Sequence, residues 1–160
     1  MLEIRAIIYN INVEREKMTK NLKEALSYIS KIQEKGNRFI VEQLNKNGIK
    51  ELVPSHGDIL AVLYKDGKTT MKEIADKIHR TKPNVTVLVN KLKRLGYVKR
   101  EDSKTDSRYT YIVLTQKGKS FETVFKDISK KLNKKLYKNF SDNEYKKFET
   151  YLKKAFNNLK

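Results

Sequence analysis

The residues best suited to chemistry lie in the stretch TKPNVTVLVNKLKR, from Thr81 to Arg94. At about 100° per residue, a helix here gathers Val85, Leu88, Val89, Leu92 and Leu95 on one side. The opposite side carries Pro83, Val87, Asn90 and Arg94, flanked by Asn84, Thr86, Lys91 and Lys93. An Asn carboxamide can bond adenine bidentately, Val and Thr methyls can meet thymine methyls, and Lys or Arg can reach guanine or phosphate. The candidate DNA contacts on this helix are therefore Thr81, Lys82, Pro83, Asn84, Thr86, Val87, Asn90, Lys91 and Arg94. An ordinary solvated helix face would also be polar, so this stretch alone leaves both readings open.

The neighbouring elements must position that face. Thr70-Met71-Lys72-Glu73 is a capping-box sequence, in which hydroxyl and carboxylate satisfy N–H groups at a helix start. Met71, Ile74, Ala75 and Ile78 then fall at i, i+3, i+4 and i+7, one buried stripe. This helix is expected to end near His79-Arg80, with Thr81 capping the next after a link of about four residues, the spacing of a helix-turn-helix. Pro83 suits only a first helical turn, and Gly96 is a stop signal. Beyond it, Tyr97 to Arg100 reads as a short strand. Glu101 to Ser107 is a polar loop without Gly or Pro, and Arg108 to Thr115 returns as a strand rich in β-formers. Helix, turn, helix and hairpin together describe a winged helix.

Three segments of this region resemble the signature of the MarR family of bacterial transcription regulators. They are Leu95-Gly96-Tyr97-Val98-Lys99-Arg100, Asp106-Ser107-Arg108 and Leu114-Thr115-Gln116-Lys117-Gly118. They fit "L-x-x-x-G-hydrophobic-hydrophobic-x-R" (counted from Leu92), "D-x-R" and "L-T-x-x-G", with matching intervals. The resemblance extends more loosely from about Leu22 to the C-terminus. It implies that Arg108 enters a minor groove and that Asp106 braces the wing by pairing with Arg100 or Arg108. Physics agrees, since a narrow A·T-rich minor groove concentrates negative potential that attracts a guanidinium. The candidate wing contacts are Arg100, Lys104, Asp106, Ser107 and Arg108.

Composition narrows the class. Charged residues make up 34% and hydrophobic ones 38% of 160 residues, as expected for a globular chain. No apolar run approaches a membrane span, and the first residues lack the apolar core and cleavage site of a signal peptide. A cytoplasmic protein without membrane partners is expected. There is no Cys, which excludes disulfides, thiolate metal sites and cysteine redox sensing. The net charge of +17 is unevenly spread: +2 over residues 1–64, +9 over 65–119 and +6 over 120–160. The excess on the winged segment is the footprint of a polyanion binder.

The flanks read as helices. Ile4, Ile7, Ile8 and Ile11 have helical spacing in a short, ambiguous segment. A long helix is expected from about Glu14, with a stripe of Met18, Leu22, Ala25, Leu26, Ile29 and Ile32. Gly36-Asn37 would kink or break it before Phe39, Ile40 and Leu44 resume the period, and Asn47-Gly48 would end it. Pro54-Ser55 opens the next helix, with Ser55 as cap and Asp58 at the capping-box position. After the hairpin, Thr115 caps a helix carrying Phe121, Val124, Phe125, Ile128, Leu132 and Leu136. Asn139 ends it, and Ser141 to Glu144 is a further capping box. Tyr145, Phe148, Leu152, Ala155, Phe156 and Leu159 make the last stripe. These faces need a partner. The resemblance implies that terminal helices of two chains interlock into a homodimer. Two recognition helices would then meet successive major grooves about 34 Å apart.

The expected fold is mainly α with a small β-hairpin wing, a winged helix-turn-helix (54–118) between dimerisation helices (14–47 and 119–160), in a single domain over 1–160. Catalysis finds no support, because the two His lie on different helices and neither a phosphate-binding glycine loop nor a Ser nucleophile elbow appears. No cofactor or metal is expected, since a lone His without partners at ligand spacing is weak evidence. The resemblance implies a small acidic or aromatic effector between dimer helices and winged unit, where Arg38 and His56 could line a pocket. Capping and packing explain the same two residues. The reading is a homodimeric repressor of a pseudo-palindromic double-stranded DNA operator. A non-specific nucleic-acid-packaging protein or a winged-helix protein-interaction module is the alternative.

Overall fold

The computed structural model describes residues 2–103, 106 and 108–159, with side chains over 12–18, 24–103, 106 and 108–159. The stripe residues Ile4, Ile7, Ile8, Ile11 and Leu22 fall outside the described side chains. The chain forms two compact units, residues 1–39 and 40–160. The first carries most of α1 (Leu2–Lys46), a helix that continues unbroken through Gly36 instead of kinking there. A glycine costs a helix interior about 1 kcal/mol relative to Ala, too little to stop a helix propagating on both sides. The Arg38–Glu34 ion pair at i,i+4 spans the glycine. No described side chain of this unit is buried.

The second unit holds the core. Its elements after α1 are α2 (Pro54–Asp66), β1 (Lys68–Thr70), α3 (Met71–Lys77), α4 (Lys82–Arg94), β2 (Val98–Asp102) and β3 (Thr110–Leu114). Then come α5 (Gln116–Ser120), α6 (Glu122–Leu136) and α7 (Asp142–Asn157). The apolar stripes converge: Ile59, Leu60 and Leu63 of α2 meet Ile74 of α3, Val85, Val89 and Leu92 of α4 and Ile112 of β3, all essentially without exposure.

Three local expectations are corrected. The cap of α2 is Val53, not Ser55, because Pro54 already occupies the first helical turn. His56 takes the third position and its Nδ1 accepts the Val53 N–H at 3.0 Å. Asp58 is instead paired with Arg80 at 3.3 Å. The sheet has three strands rather than two, ordered β1-β3-β2 and antiparallel throughout, with Thr69 opposite Ile112 and Arg100 also opposite Ile112 on the other side. The helix after the hairpin is divided at Phe121 into α5 and α6.

Candidate nucleic-acid interface

α3 and α4 form the helix-turn-helix. Thr70 and Glu73 cap α3 reciprocally. The Glu73 carboxylate accepts the Thr70 N–H at 2.7 Å and the Thr69 hydroxyl at 2.9 Å, and these bonds hold it below the usual carboxylate range. The turn is made by His79, whose φ of 52° is left-handed, and its ring lies 5.0 Å from that of Phe156. Thr81 sits at the cap position of α4 without a side-chain bond to it. Gly96 ends the turn after α4 with φ 77°, where a side chain would be strained.

With Val85, Val89 and Leu92 buried, the other face of α4 is turned outward. Thr81, Lys82, Pro83, Asn84, Asn90 and Arg94 are exposed, and Val87 is 69% exposed, an apolar group held in water beside amides and cations. Thr86 is half-buried and its hydroxyl donates to the Lys82 carbonyl at 2.8 Å. Lys91 is half-buried too, on the flank toward α2. Burial first and the Lys91 charge second hold the His56 imidazole below its ordinary pKa.

The wing is β2, β3 and their connection. Asp106 chelates Arg108: its two oxygens accept from Nε at 3.0 and 3.2 Å and from a terminal nitrogen at 2.7 Å, and Oδ1 also accepts the Arg108 backbone N–H at 3.0 Å. These bonds hold the Asp106 carboxyl below the usual carboxylate range. The Arg108 side chain is nonetheless 83% exposed, so it is aimed outward and held in place at one end. Arg100 reaches a different residue, donating to Asn90 Oδ1 on α4 at 3.2 Å. Lys104 and Ser107 lie outside the described residues.

The wing is anchored behind by residues whose role the chain spelled only as "L-T-x-x-G". Thr115 caps α5, its Oγ1 accepting the Gly118 N–H at 3.1 Å, while its own N–H donates to the Tyr97 carbonyl at 3.0 Å. A Cβ on Gly118 would sit 2.1 Å from that carbonyl oxygen, so glycine is required by close approach. The Tyr64 hydroxyl donates to the Gly118 carbonyl at 2.9 Å. Sequence reading placed Tyr97 in a strand and Tyr64 on the core side of its helix, but only a three-dimensional contact joins either to Gly118.

Between α1, α2 and α6 the second unit encloses a cavity of about 70 Å³ lined by Ile40, Leu44, His56, Phe121, Phe125 and Leu132 among others. His56, 3% exposed, and Ser129 are its polar side chains. Arg38 belongs to the first unit, where it pairs with Glu34 at 2.6 Å. Among the described residues no group of three His, Cys, Asp or Glu is arranged to hold a metal ion, and no helix is long and apolar enough to cross a membrane.

A helix-turn-helix backed by a short antiparallel wing defines a winged-helix protein. A model described as MarR family matches residues 52–108. The chain is 34% identical over 82 residues to the HTH-type transcriptional regulator MhqR of Bacillus subtilis (strain 168), a match covering 51% of this chain and 57% of that one. It spans about half the length of curated relatives such as this. A solved MarR family protein from Bacillus stearothermophilus superposes with a TM-score of 0.61 at 26% identity, over 90% of this chain and 96% of that one. The S. aureus MepR–DNA complex superposes with a TM-score of 0.73 at 24% identity, over 83% of this chain and 94% of that one, a likeness of fold alone. The winged unit is thus similar to the MarR family over residues 52–108, and the curated relatives are described as HTH-type transcriptional regulators.

Proposed function

We propose that this protein is a sequence-specific DNA-binding transcriptional repressor that grips a pseudo-palindromic operator as a homodimer. The observation that carries the reading is the pairing of two outward features on the most basic segment. One is the exposed Val87, Asn90 and Arg94 face of α4; the other is Arg108, held by Asp106 yet 83% exposed. The first suits base edges in a major groove and the second a narrow minor groove. Thr81, Lys82, Asn84 and Lys91 suit phosphates, which position the protein without reading sequence. MepR, of like fold, has been solved in a complex with DNA.

The partner is a second copy of the chain, covering the apolar faces of α1, α6 and α7 and spacing two α4 helices by about one turn of DNA. The cavity beside His56 would take the apolar body of an effector that releases DNA by preferring the spacing that does not fit the operator. At about 70 Å³ it admits only a small molecule, since drug-sized sites run to roughly 300–1,000 Å³. The protein is expected to act in the cytoplasm.

Selection of genomic fragments by the purified protein at physiological salt tests the reading. One inverted repeat, bound at least ~1,000-fold more tightly than random DNA, is expected. Capture of all fragments alike would mark a packaging protein, and capture of none a protein-interaction module.

A further inference from the structure

We propose that Asn90 reads its base purely as a hydrogen-bond donor, selecting guanine over adenine, because Arg100 from the wing holds the oxygen of its carboxamide. The inference rests on the operator reading above and specifies one base within it.

The two ends of an Asn amide differ in chemistry, and the partner decides which end faces which way. Arg100 donates to Asn90 at 3.2 Å, and a guanidinium has only donors, so the amide atom facing the wing must be Oδ1. The amide's other end, the Nδ2 group with its two N–H donors, is then directed away from Arg100, on a residue that lies on the exposed face of α4. Bidentate pairing with adenine requires both ends, Nδ2 donating to N7 and Oδ1 accepting from the N6 amino group. With one of the two Oδ1 lone pairs given to Arg100, the adenine amino group would have to share that oxygen with a charged donor. Guanine instead presents two acceptors, N7 and O6, to the two N–H groups. Cytosine offers a donor amino group only, and thymine a single acceptor beside a methyl.

Three features hold Arg100 to this task. Its backbone is fixed by pairing of β2 with β3, where Arg100 lies opposite Ile112. The link from α4 to β2 is short and passes through the left-handed Gly96, so helix and strand are closely tied. The acidic side chains of the wing have other partners, Asp106 being engaged by Arg108 and Glu101 by Lys99 at 3.3 Å. Thr86, one turn before Asn90, gives its hydroxyl proton to the Lys82 carbonyl and adds no competing donor.

The test is selection of duplexes from a random library by the full chain, its Asn90→Ala variant and its Arg100→Met variant. The position in each half-site where Asn90→Ala loses preference is expected to carry guanine for the native protein, preferred over adenine by about tenfold. Arg100→Met should release the amide and move that position toward adenine. Because a variant can fail for other reasons, the native protein is also titrated against an operator with 7-deazaguanine at that position. Loss of the N7 acceptor should weaken binding several-fold. Adenine at that position for the native protein, an unchanged preference in Arg100→Met, or indifference to 7-deazaguanine would each overturn the proposal while leaving the operator reading intact. Failure of the native protein to enrich any sequence would overturn both.

Discussion

α4 and α7 are amphipathic helices of similar length with opposite fates. α4 buries Val85, Val89 and Leu92 completely and presents its polar face outward. α7 buries nothing: Tyr151 is 65% exposed and Phe156 47%. The stripe of α4 is satisfied within the chain by α2, α3 and the sheet, so its outward face is available to recognise something else. The stripe of α7 is only partly covered within the chain, by ring contacts such as His79–Phe156 and Tyr137–Phe148, which is the physical motive for the second copy proposed above. The same sequence pattern thus makes a core in one place and leaves apolar rings largely exposed in the other, and only the burial tells them apart.

The comparison can be broken at several points. The largest effect is expected in α4, where Leu92→Ala should cost about 2–5 kcal/mol, read as a urea midpoint lowered equally at all protein concentrations. If α7 is an interface, Tyr151→Ser should instead give a loss that fades as protein concentration rises, with weaker self-association in sedimentation. A concentration-independent loss would make α7 part of the chain's own core. Next, Gly118→Ala forces a Cβ against the Tyr97 carbonyl and should cost about 1–3 kcal/mol in thermal unfolding. A neutral result would mean α5 shifts freely. Arg108→Ala should weaken operator binding without loosening the dimer, and Asp106→Asn should weaken it less, by removing the brace but not the cation. Unchanged affinity in both would remove the wing from the site.

The smallest effect sharpens the contrast from the other side. His56 has its folded-state pKa lowered from 6.5, chiefly by burial. The unfolded chain therefore binds the proton more readily. The stability held by neutral His56 is complete above about pH 6.5 and declines as pH falls from there toward the lowered value. Protonation also removes the acceptor that caps α2. Unfolding measured from pH 7.5 downward should show this decline, and His56→Gln should flatten it.

Much of the winged unit was legible because its signals are local. The Thr70–Glu73 capping box, the α4 stripe, the Gly96 stop and the Ser141–Glu144 box each lie within a few residues of the structure they form. What escaped depends on distant contacts. Three residues from Lys68 to Thr70 become a strand only because β3 lies beside them. Val53 becomes a cap only because His56 folds back, a role more often filled by Glu or Gln. The wing was expected to bind Asp106 to either Arg100 or Arg108. The structure assigns it to Arg108 and gives Arg100 to Asn90, a choice between side chains that no spacing encodes.

Gly118 gives the fold a mechanical property. Its missing side chain lets the first turn of α5 lie directly on the Tyr97 carbonyl, which the Thr115 N–H also grips. The connection between the wing and the helices that follow is therefore a stiff joint rather than an elbow. Any tilt of α5 is passed to the root of β2 as a lever passes a push, with little play lost in between.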